Sequence, residues 1–173
     1  MARALEAAGM ERLELATSER LEGMGDGLWH PGRRLLWAGV GPRSSREAWS
    51  ELAERLDLPV ITLELVEPAF YHLDTALALL SEDSCLWLPD ALSPSSRALV
   101  ERLFERRIEA DPREAHERLA CNACSPDGRH VLIQRGCERT SARLRDAGFE
   151  VVELDTDEFL KSGGSVFCMK LLA

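Results

Sequence analysis

The chain has 173 residues, of which 45% are hydrophobic, and a formal net charge of −9. This length fits one domain with a packed core, and the negative charge, without a basic stripe that interleaves aromatic residues, excludes nucleic acid as an expected partner. No apolar run approaches the roughly 20 residues of a membrane span, and the N-terminus lacks the apolar segment of a secretory signal, so we expect a cytoplasmic protein with no membrane partner.

The first third of the chain predicts strands that flank one long helix. Ser44 is a cap signal for that helix, and its apolar residues fall on one face. The strand that precedes it is short and entirely apolar, as in a buried strand. The predicted elements are, in order, a helix at 2–8, strands at 10–15 and 35–38, a helix at 44–56 and a strand at 60–65.

The middle third predicts a hairpin that is followed by a helix and a strand. Two strand-like runs, 71–80 and 85–88, are separated by a polar turn at 81–84. Ser93 and Pro94 are typical of the N-terminus of a helix. The elements predicted after the hairpin are a helix at 93–104, a strand at 107–110 and a short helix at 112–119.

The same order of elements returns in the last third. The predicted elements are strands at 121–123 and 131–134 around a turn at 125–128, a helix at 139–147, and strands at 149–154 and 165–172. Three hairpin–helix–strand units of about 40–50 residues are typical of a repeat or propeller-like array. The predicted fold is therefore α/β, a partial α/β propeller of about three ββαβ-type units in a single domain over residues 1–173.

The five cysteines indicate reduced thiols, because their number is odd and no secretory signal precedes them. Cys121 and Cys124 form a C-x-x-C pattern, in which a structural zinc ion would need two more ligands. Only His130 and Cys137 lie near in the sequence, and this spacing matches no common zinc pattern. We predict no metal and no cofactor, with a structural zinc-binding module as a remaining alternative.

Two segments carry reactive residues whose role the residues alone leave open. His72 and Asp74 would share one face of a strand, which indicates either a functional site or a polar strand surface. Cys168 follows Gly163 and Gly164, a pair that permits positive φ and a close approach of the backbone. A thiol in this position lies either at the mouth of a site or in the core as a small hydrophobic residue.

An acidic glycine-rich segment at 21–27 places Glu22 and Asp26 on either side of a flexible bend. The two carboxylates could hold a cation, or they could belong to a plain acidic turn. A phosphate-binding loop is not expected here, since carboxylates repel phosphate and no lysine follows.

In combination these motifs resemble the superfamily of arginine deiminases, dimethylarginine dimethylaminohydrolases and amidinotransferases, often called penteins. The resemblance begins near Gly9 and favours the dimethylarginine dimethylaminohydrolase-like and arginine-hydrolysing branch. It implies a five-bladed α/β propeller with the site at its centre. The motifs that carry it are, in order, the acidic segment at 21–26, Gly-Pro-Arg-Ser at 41–44, His-Leu-Asp-Thr at 72–75, and Gly163-Gly164 shortly before Cys168.

The resemblance implies a role for each matched residue. Cys168 would attack the guanidinium carbon and form an amidino-thioether, and His72 would transfer protons to the leaving amine and from water. Glu22 would orient His72 or hold the guanidinium group. The implied substrate-binding residues are Asp74 for the guanidinium group, Asp26, for which a structural role is the alternative, and Arg43 for a substrate carboxylate.

The five units that the family implies exceed the three of this chain, so we expect the N-terminal units to be absent. The expected function is hydrolysis of a guanidino C–N bond in arginine or a related methylated compound, which makes a small cationic guanidino substrate the expected ligand. One alternative is a truncated or split subunit that is not catalytic without a partner chain, and another is an amidinotransferase. Because an open propeller exposes a sheet edge, we expect a homo-oligomer or a partner chain that completes it.

Overall fold

Three small sheets with connecting helices form the α/β fold in the computed structural model, which describes residues 2–170. Two short helices come first, α1 (Ala2–Ala7) and α2 (Gly23–Asp26). In the first sheet, the central strand pairs antiparallel with the strand before it and parallel with the strand after it. Its elements are β1 (Gly27–Trp29), β2 (Leu36–Val40), the crossover helix α3 (Arg46–Leu56) and β3 (Val60–Glu64).

The second sheet repeats this order of an antiparallel pair, a helix and a parallel strand. It consists of β4 (Leu77–Leu79), β5 (Ser84–Trp87), the helix α4 (Pro94–Leu103) and β6 (Arg106–Glu109). β5 is buried along its whole length, as expected for the central strand of a covered sheet. The predicted hairpin–helix–strand order is therefore confirmed in the second unit.

The third unit keeps the parallel pair but has only a trace of the first strand. After helix α5 (Pro112–Arg118), strand β7 (His130–Gln134) pairs parallel with β8 (Glu150–Leu154) across helix α6 (Glu138–Asp146). An isolated antiparallel bridge between Cys124 and Leu132 stands where the first strand of the other units lies. Helix α7 (Asp157–Leu160) follows β8. The predicted strand at 121–123 is thus reduced to a single bridge one residue later.

Helices α3, α4 and α5 begin at capping side chains. Ser93 accepts the amide of Ser96 at the start of α4, as its position in the sequence predicts. In α3 the capping residue is Ser45, which accepts the amide of Ala48, so the helix begins two residues later than the predicted start at Ser44. α3 has 11 residues. None of the helices within residues 2–170 has the length and apolar character that crossing a lipid bilayer requires.

Three predicted strands are wrong over most of their length. Residues 10–15 are largely exposed and pair with no other strand, so their alternating pattern does not produce a strand. Of the predicted strand at 71–80, only Leu77–Leu79 pairs in a sheet. Of the strand at 165–172, the described part contains a 3-10 turn at Phe167–Met169. Residues 171–172 lie outside the described residues.

Polar side chains account for the differences at 71–80 and 165–172, because they form hydrogen bonds with backbone groups that would otherwise pair in a sheet. The carboxylate of Asp26 accepts the amide of Leu73 at 2.9 Å, and the hydroxyl of Thr75 donates to the carbonyl of His72 at 2.7 Å. The turn at Leu73–Thr75 results. Near the C-terminus the side chain of Asn122 binds the backbone amides of Ser165 and Cys168 in the same way.

The main core lies between the sheets and joins all three units. Trp37, Trp87 and Phe104 are among its largest fully buried side chains. The indole of Trp37 donates to Nδ1 of the buried His30 at 3.0 Å, which satisfies the indole N–H and this imidazole nitrogen within the core. A continuous core of this kind holds residues that are distant in sequence in fixed relative positions.

Candidate active site

One open cleft of about 200 Å³ brings together residues from three distant parts of the chain. Its acidic, basic and nucleophilic groups come from residues 72–75 and from the C-terminal segment 167–170. The helix α2 supplies one wall. The residues that line the cleft are Met24, Gly25, His72, Asp74, Phe167, Cys168 and Lys170.

The imidazole of His72 is hydrogen-bonded to Glu22, which lies 50 residues earlier in the chain. The distance between His72 Nε2 and Glu22 Oε2 is 2.8 Å. Hydrogen bonds from His72 and then from Arg43 lower the pKa of Glu22, so the carboxylate is ionised near neutral pH. A carboxylate in this position orients the imidazole.

Gly25 leaves the space that the imidazole occupies. A Cβ atom built on Gly25 would lie 2.5 Å from Nδ1 of His72 and 2.8 Å from its Cγ. Both distances are far below van der Waals contact, so a side chain at position 25 and the observed position of His72 exclude each other.

We expect the substitution Gly25→Ala to displace His72 and to slow proton transfer in the cleft by about 10²-fold. The measurement is the rate at which Cys168 is alkylated by a haloacetamidine, followed by mass spectrometry. Gly41→Ala is the matched control, because its added methyl group meets Leu65 at 3.2 Å instead of a cleft residue. Equal rates in Gly25→Ala and the control would show that His72 does not need its observed position.

Asp74 is a buried carboxylate in direct contact with the cysteine thiol. It is only 2% exposed, and its Oδ2 accepts a hydrogen bond from Cys168 Sγ at 3.4 Å. Among residues 2–170 no group donates to Oδ1 of Asp74. Burial raises the pKa of Asp74 to about 6. A buried carboxylate with a free acceptor is costly by itself and is well suited to receive a cation.

The thiol of Cys168 is in its neutral form in the absence of a cation. Partial burial raises its pKa, and the negative charge of Asp74 raises it further. Since the thiolate is the nucleophilic form, the cleft needs a positive charge to activate Cys168. This electrostatic arrangement couples activation to the arrival of a cation.

Asp26 and Arg43 lie next to the cleft but are occupied by other protein groups. The buried Asp26 accepts the Ser44 hydroxyl at 2.7 Å on Oδ2 and the Leu73 amide on Oδ1. Arg43 Nη1 donates to Glu22 at 3.2 Å, and its guanidinium group lies over the ring of Tyr71. The geometry thus favours a positioning role for Asp26, and the predicted grip of Arg43 on a substrate carboxylate stays a prediction.

Two residues of the site, Asn122 and Tyr71, were not identified from the sequence. Asn122, within the C-x-x-C pattern, is 1% exposed and donates from Nδ2 to Cys168 Sγ at 3.3 Å. Tyr71 donates its hydroxyl to the carbonyl of Gly163, which joins the His72 segment to the glycine turn before Cys168. A polar residue between the apolar neighbours Cys121 and Ala123 is the one signal that could have identified Asn122.

The two cysteines of the C-x-x-C pattern differ in exposure. Cys121 is fully buried, and burial raises the pKa of its thiol, whereas Cys124 is partly exposed. Within the described ranges no three His, Cys, Asp or Glu side chains are grouped closely enough to hold a metal ion. All five cysteines are free thiols.

Comparison with known proteins gives a consistent family match. The sequence profile of the family described as "N,N dimethylarginine dimethylhydrolase, eukaryotic" matches residues 4–171. The chain is 43% identical over 150 residues to the N(G),N(G)-dimethylarginine dimethylaminohydrolase of Mycobacterium tuberculosis, covering 87% of this chain and 48% of that protein. It is 36% identical over 166 residues to the bifunctional arginine dihydrolase/ornithine cyclodeaminase ArgZ of Synechocystis, covering 94% of this chain and 23% of that protein.

The fold agrees with that of a solved relative. The crystal structure of the product-bound N-terminal domain of ArgZ, a cyanobacterial arginine dihydrolase, superposes with a TM-score of 0.90 and 34% identity. This match covers 98% of the present chain and 62% of the other one. The chain thus spans about half the length of the mycobacterial relative and less than two thirds of the solved domain.

Proposed function

Because the chain belongs to the dimethylarginine dimethylaminohydrolase family, we propose that it hydrolyses a guanidino C–N bond with Cys168 as the nucleophile. The observation that carries this proposal is the contact of the Cys168 thiol with the buried carboxylate of Asp74, in a cleft that His72 also lines. A guanidinium group supplies the positive charge that these two residues require. The substrate class is therefore arginine or a related, methylated guanidino compound.

Substrate binding prepares the nucleophile. The planar guanidinium group donates two hydrogen bonds at fixed spacing, which match the oxygens of Asp74. Its charge offsets the charge of Asp74 and lowers the pKa of the nearby thiol, so that Cys168 ionises when the substrate is present. The thiol proton leaves to the imidazole of His72.

The reaction proceeds through a covalent intermediate with balanced proton transfers. Cys168 Sγ forms a bond to the guanidinium carbon, and the C–N bond breaks as the amine takes a proton from His72. His72 then removes a proton from water, whose oxygen attacks the same carbon. The C–S bond breaks as the second proton of the attacking water is lost to the solvent, and the ureido product and the thiolate are released. The thiolate then takes the proton that His72 holds, which restores the neutral thiol and the neutral imidazole. Glu22 keeps the imidazole of His72 oriented in both halves of the reaction.

Release of the amine and uptake of oxygen from water test the proposed function. We expect L-arginine or N,N-dimethylarginine to yield an amine and a ureido product that contains ¹⁸O when the reaction is run in H₂¹⁸O. Transfer of the amidino group to an added amine, without ¹⁸O uptake, would instead support the amidinotransferase alternative. Absence of C–N cleavage at every chain concentration would contradict hydrolysis by this chain alone.

Removing the charge of Asp74 is expected to raise the stability of the ligand-free protein and to weaken ligand binding. A folded-state pKa of about 6, above the ordinary value of 3.8, means that stability is highest while the carboxyl is protonated and is lost as the pH rises through 6. Without ligand at pH 7, the variant Asp74→Asn should therefore be more stable than the wild type by about 1–3 kcal/mol in urea unfolding. The difference should shrink at pH 5.

The same variant should bind L-arginine on the order of 10²-fold more weakly at pH 7, because the cation loses a buried charged partner. Isothermal titration calorimetry measures this change. Asp90→Asn is the matched control, since Asp90 pairs with Arg97 on the surface and its side chain is 81% exposed. Unchanged arginine affinity in Asp74→Asn would exclude Asp74 as the residue that holds the guanidinium group.

We further propose that the three units follow one another as parts of a propeller-like ring. The repeated order of an antiparallel pair and a helix-linked parallel strand supports this arrangement. A second copy or a partner chain would complete the ring, and the exposed side chain of Trp29 on the short strand β1 is a surface that it could cover. Light scattering of the purified chain measures its oligomeric state. The five free thiols support a cytoplasmic location.

A further inference from the structure

Asn122 connects the two segments that carry Asp74 and Cys168. Its Oδ1 accepts the amides of Ser165 at 3.0 Å and Cys168 at 3.3 Å. Its Nδ2 donates to the carbonyl of Asp74 and to Cys168 Sγ, both at 3.3 Å. The backbone carbonyl of Asn122 also accepts the amide of Phe167. A single buried side chain thus bonds to both ends of the candidate catalytic pair.

These contacts determine which end of the amide faces the sulfur. The two backbone N–H groups of Ser165 and Cys168 can only donate, so the oxygen of Asn122 must face them. The NH₂ group is consequently directed at the Asp74 carbonyl and at the thiol sulfur. An inverted amide would place two pairs of donors against each other inside a buried site.

We propose that Asn122 is a catalytic residue that stabilises the thiolate of Cys168 with its side-chain N–H group. A hydrogen bond to an ionised acceptor is roughly twice as strong as one to a neutral acceptor, so the contact gains strength when Cys168 loses its proton. The same contact stabilises the sulfur again when the C–S bond breaks and the thiolate leaves. This inference rests on the proposed function of Cys168.

Asn122 is the neutral donor in an environment of charged groups. Asp74 faces Cys168 Sγ at 3.4 Å and opposes its ionisation, whereas His72 and Lys170 line the same cleft as cationic or basic groups. The hydroxyl of Tyr71 lies near and is bound to Gly163. Because Asn122 carries no charge, it stabilises the thiolate without repelling the guanidinium group of the substrate.

The pH dependence of alkylation by iodoacetamide measures the thiolate of Cys168 without any catalytic turnover. The experiment uses a Cys124→Ser background, in which the remaining three non-candidate thiols are buried. We expect Asn122→Ala to raise the apparent pKa of Cys168 alkylation by about one unit. At a pH below the parental pKa, this corresponds to an approximately tenfold smaller fraction of thiolate. Asn122→Asp keeps the acceptor oxygen, removes the donor and adds a negative charge, so a larger shift is expected.

Gln134→Ala is the matched control for the loss of a buried amide. Gln134 is also 1% exposed and accepts the Thr156 amide at 2.8 Å, but it has no hydrogen bond to a cleft residue. Its alkylation profile should coincide with that of the parent protein. A folded Asn122→Ala or Asn122→Asp variant with the parental profile would overturn the inference.

A measurement on the unsubstituted site covers the case in which the Asn122 variants do not fold. In ¹H–¹⁵N spectra of the Cys124→Ser protein, the side-chain NH₂ resonance of Asn122 should move with pH as Cys168 ionises. The same resonance should lose this movement in Cys168→Ser. An Asn122 resonance that is insensitive to Cys168 ionisation would refute the contact. Neither readout depends on guanidino hydrolysis, so failure of the proposed function would leave both results interpretable.

Discussion

Replacing Cys168 by serine is expected to abolish covalent labelling of the cleft by a haloacetamidine and to reduce guanidino hydrolysis by about 10⁴–10⁶-fold. A serine hydroxyl ionises far less readily than a thiol, so His72 would leave far less of the nucleophilic form at neutral pH. The cation of the reagent binds next to Asp74 and places its reactive carbon near the sulfur. Mass spectrometry of the intact chain and of its peptides identifies the labelled residue.

Cys124→Ser is the control for this result. Cys124 is the other thiol with partial exposure, and it contacts Lys170 instead of Asp74. Its replacement should leave labelling of Cys168 unchanged. Slow and equal labelling of all five cysteines in the wild-type chain would mean that Cys168 has no activated environment, and the nucleophile would have to be sought elsewhere.

The second large effect is expected for His72→Ala, which should lower the rate of hydrolysis by about 10²–10⁴-fold. This variant removes the group that protonates the leaving amine and activates water, while the fold around Gly25 gains space and no new clash. Substrate binding should change much less, because Asp74 is untouched. Single-turnover kinetics with arginine separates the chemical step from binding.

His130→Ala is a matched control, since His130 is also an imidazole between carboxylates. It lies 2.7 Å from Asp127 and 3.0 Å from Glu150, in a part of the surface that does not line the cleft. The two variants therefore remove the same type of side chain, one from the cleft and one from the surface outside it. Similar losses in both would indicate that reduced stability, and not proton transfer, explains the effect of His72→Ala.

The repeating order of the chain could be predicted because it depends on local patterns. The buried strand β2, the helices α3 and α4 and the parallel strands β3 and β6 have apolar periodicity or capping residues that act over a few positions. The family resemblance rested on short motifs of the same local kind. Sequence alone thus indicated an α/β chain of three similar units, together with Cys168, His72, Asp74 and Glu22 as candidate residues.

Long-range hydrogen bonds decided the features that the sequence did not predict. The alternating pattern at 71–80 predicted a strand with His72 and Asp74 on one face, but Asp26, 47 residues earlier, binds the Leu73 amide and turns the backbone. The C-terminal turn at Cys168 likewise depends on Asn122, 46 residues earlier. Backbone amides in a buried site must be bonded, and which group bonds them is not a local property.

Local patterns were sufficient to identify the chemical types at the site and the elements that carry them. The contacts between these residues depend on the fold: Glu22 binds His72, 50 residues later in the chain, and Asp74 binds Cys168, 94 residues later. The fold also decided that Arg43 pairs with Glu22 and that a buried asparagine faces the sulfur. Burial and charge neutralisation act between residues that are close in space, so the pKa values of Asp74 and Cys168 depend on neighbours that their own segments do not contain.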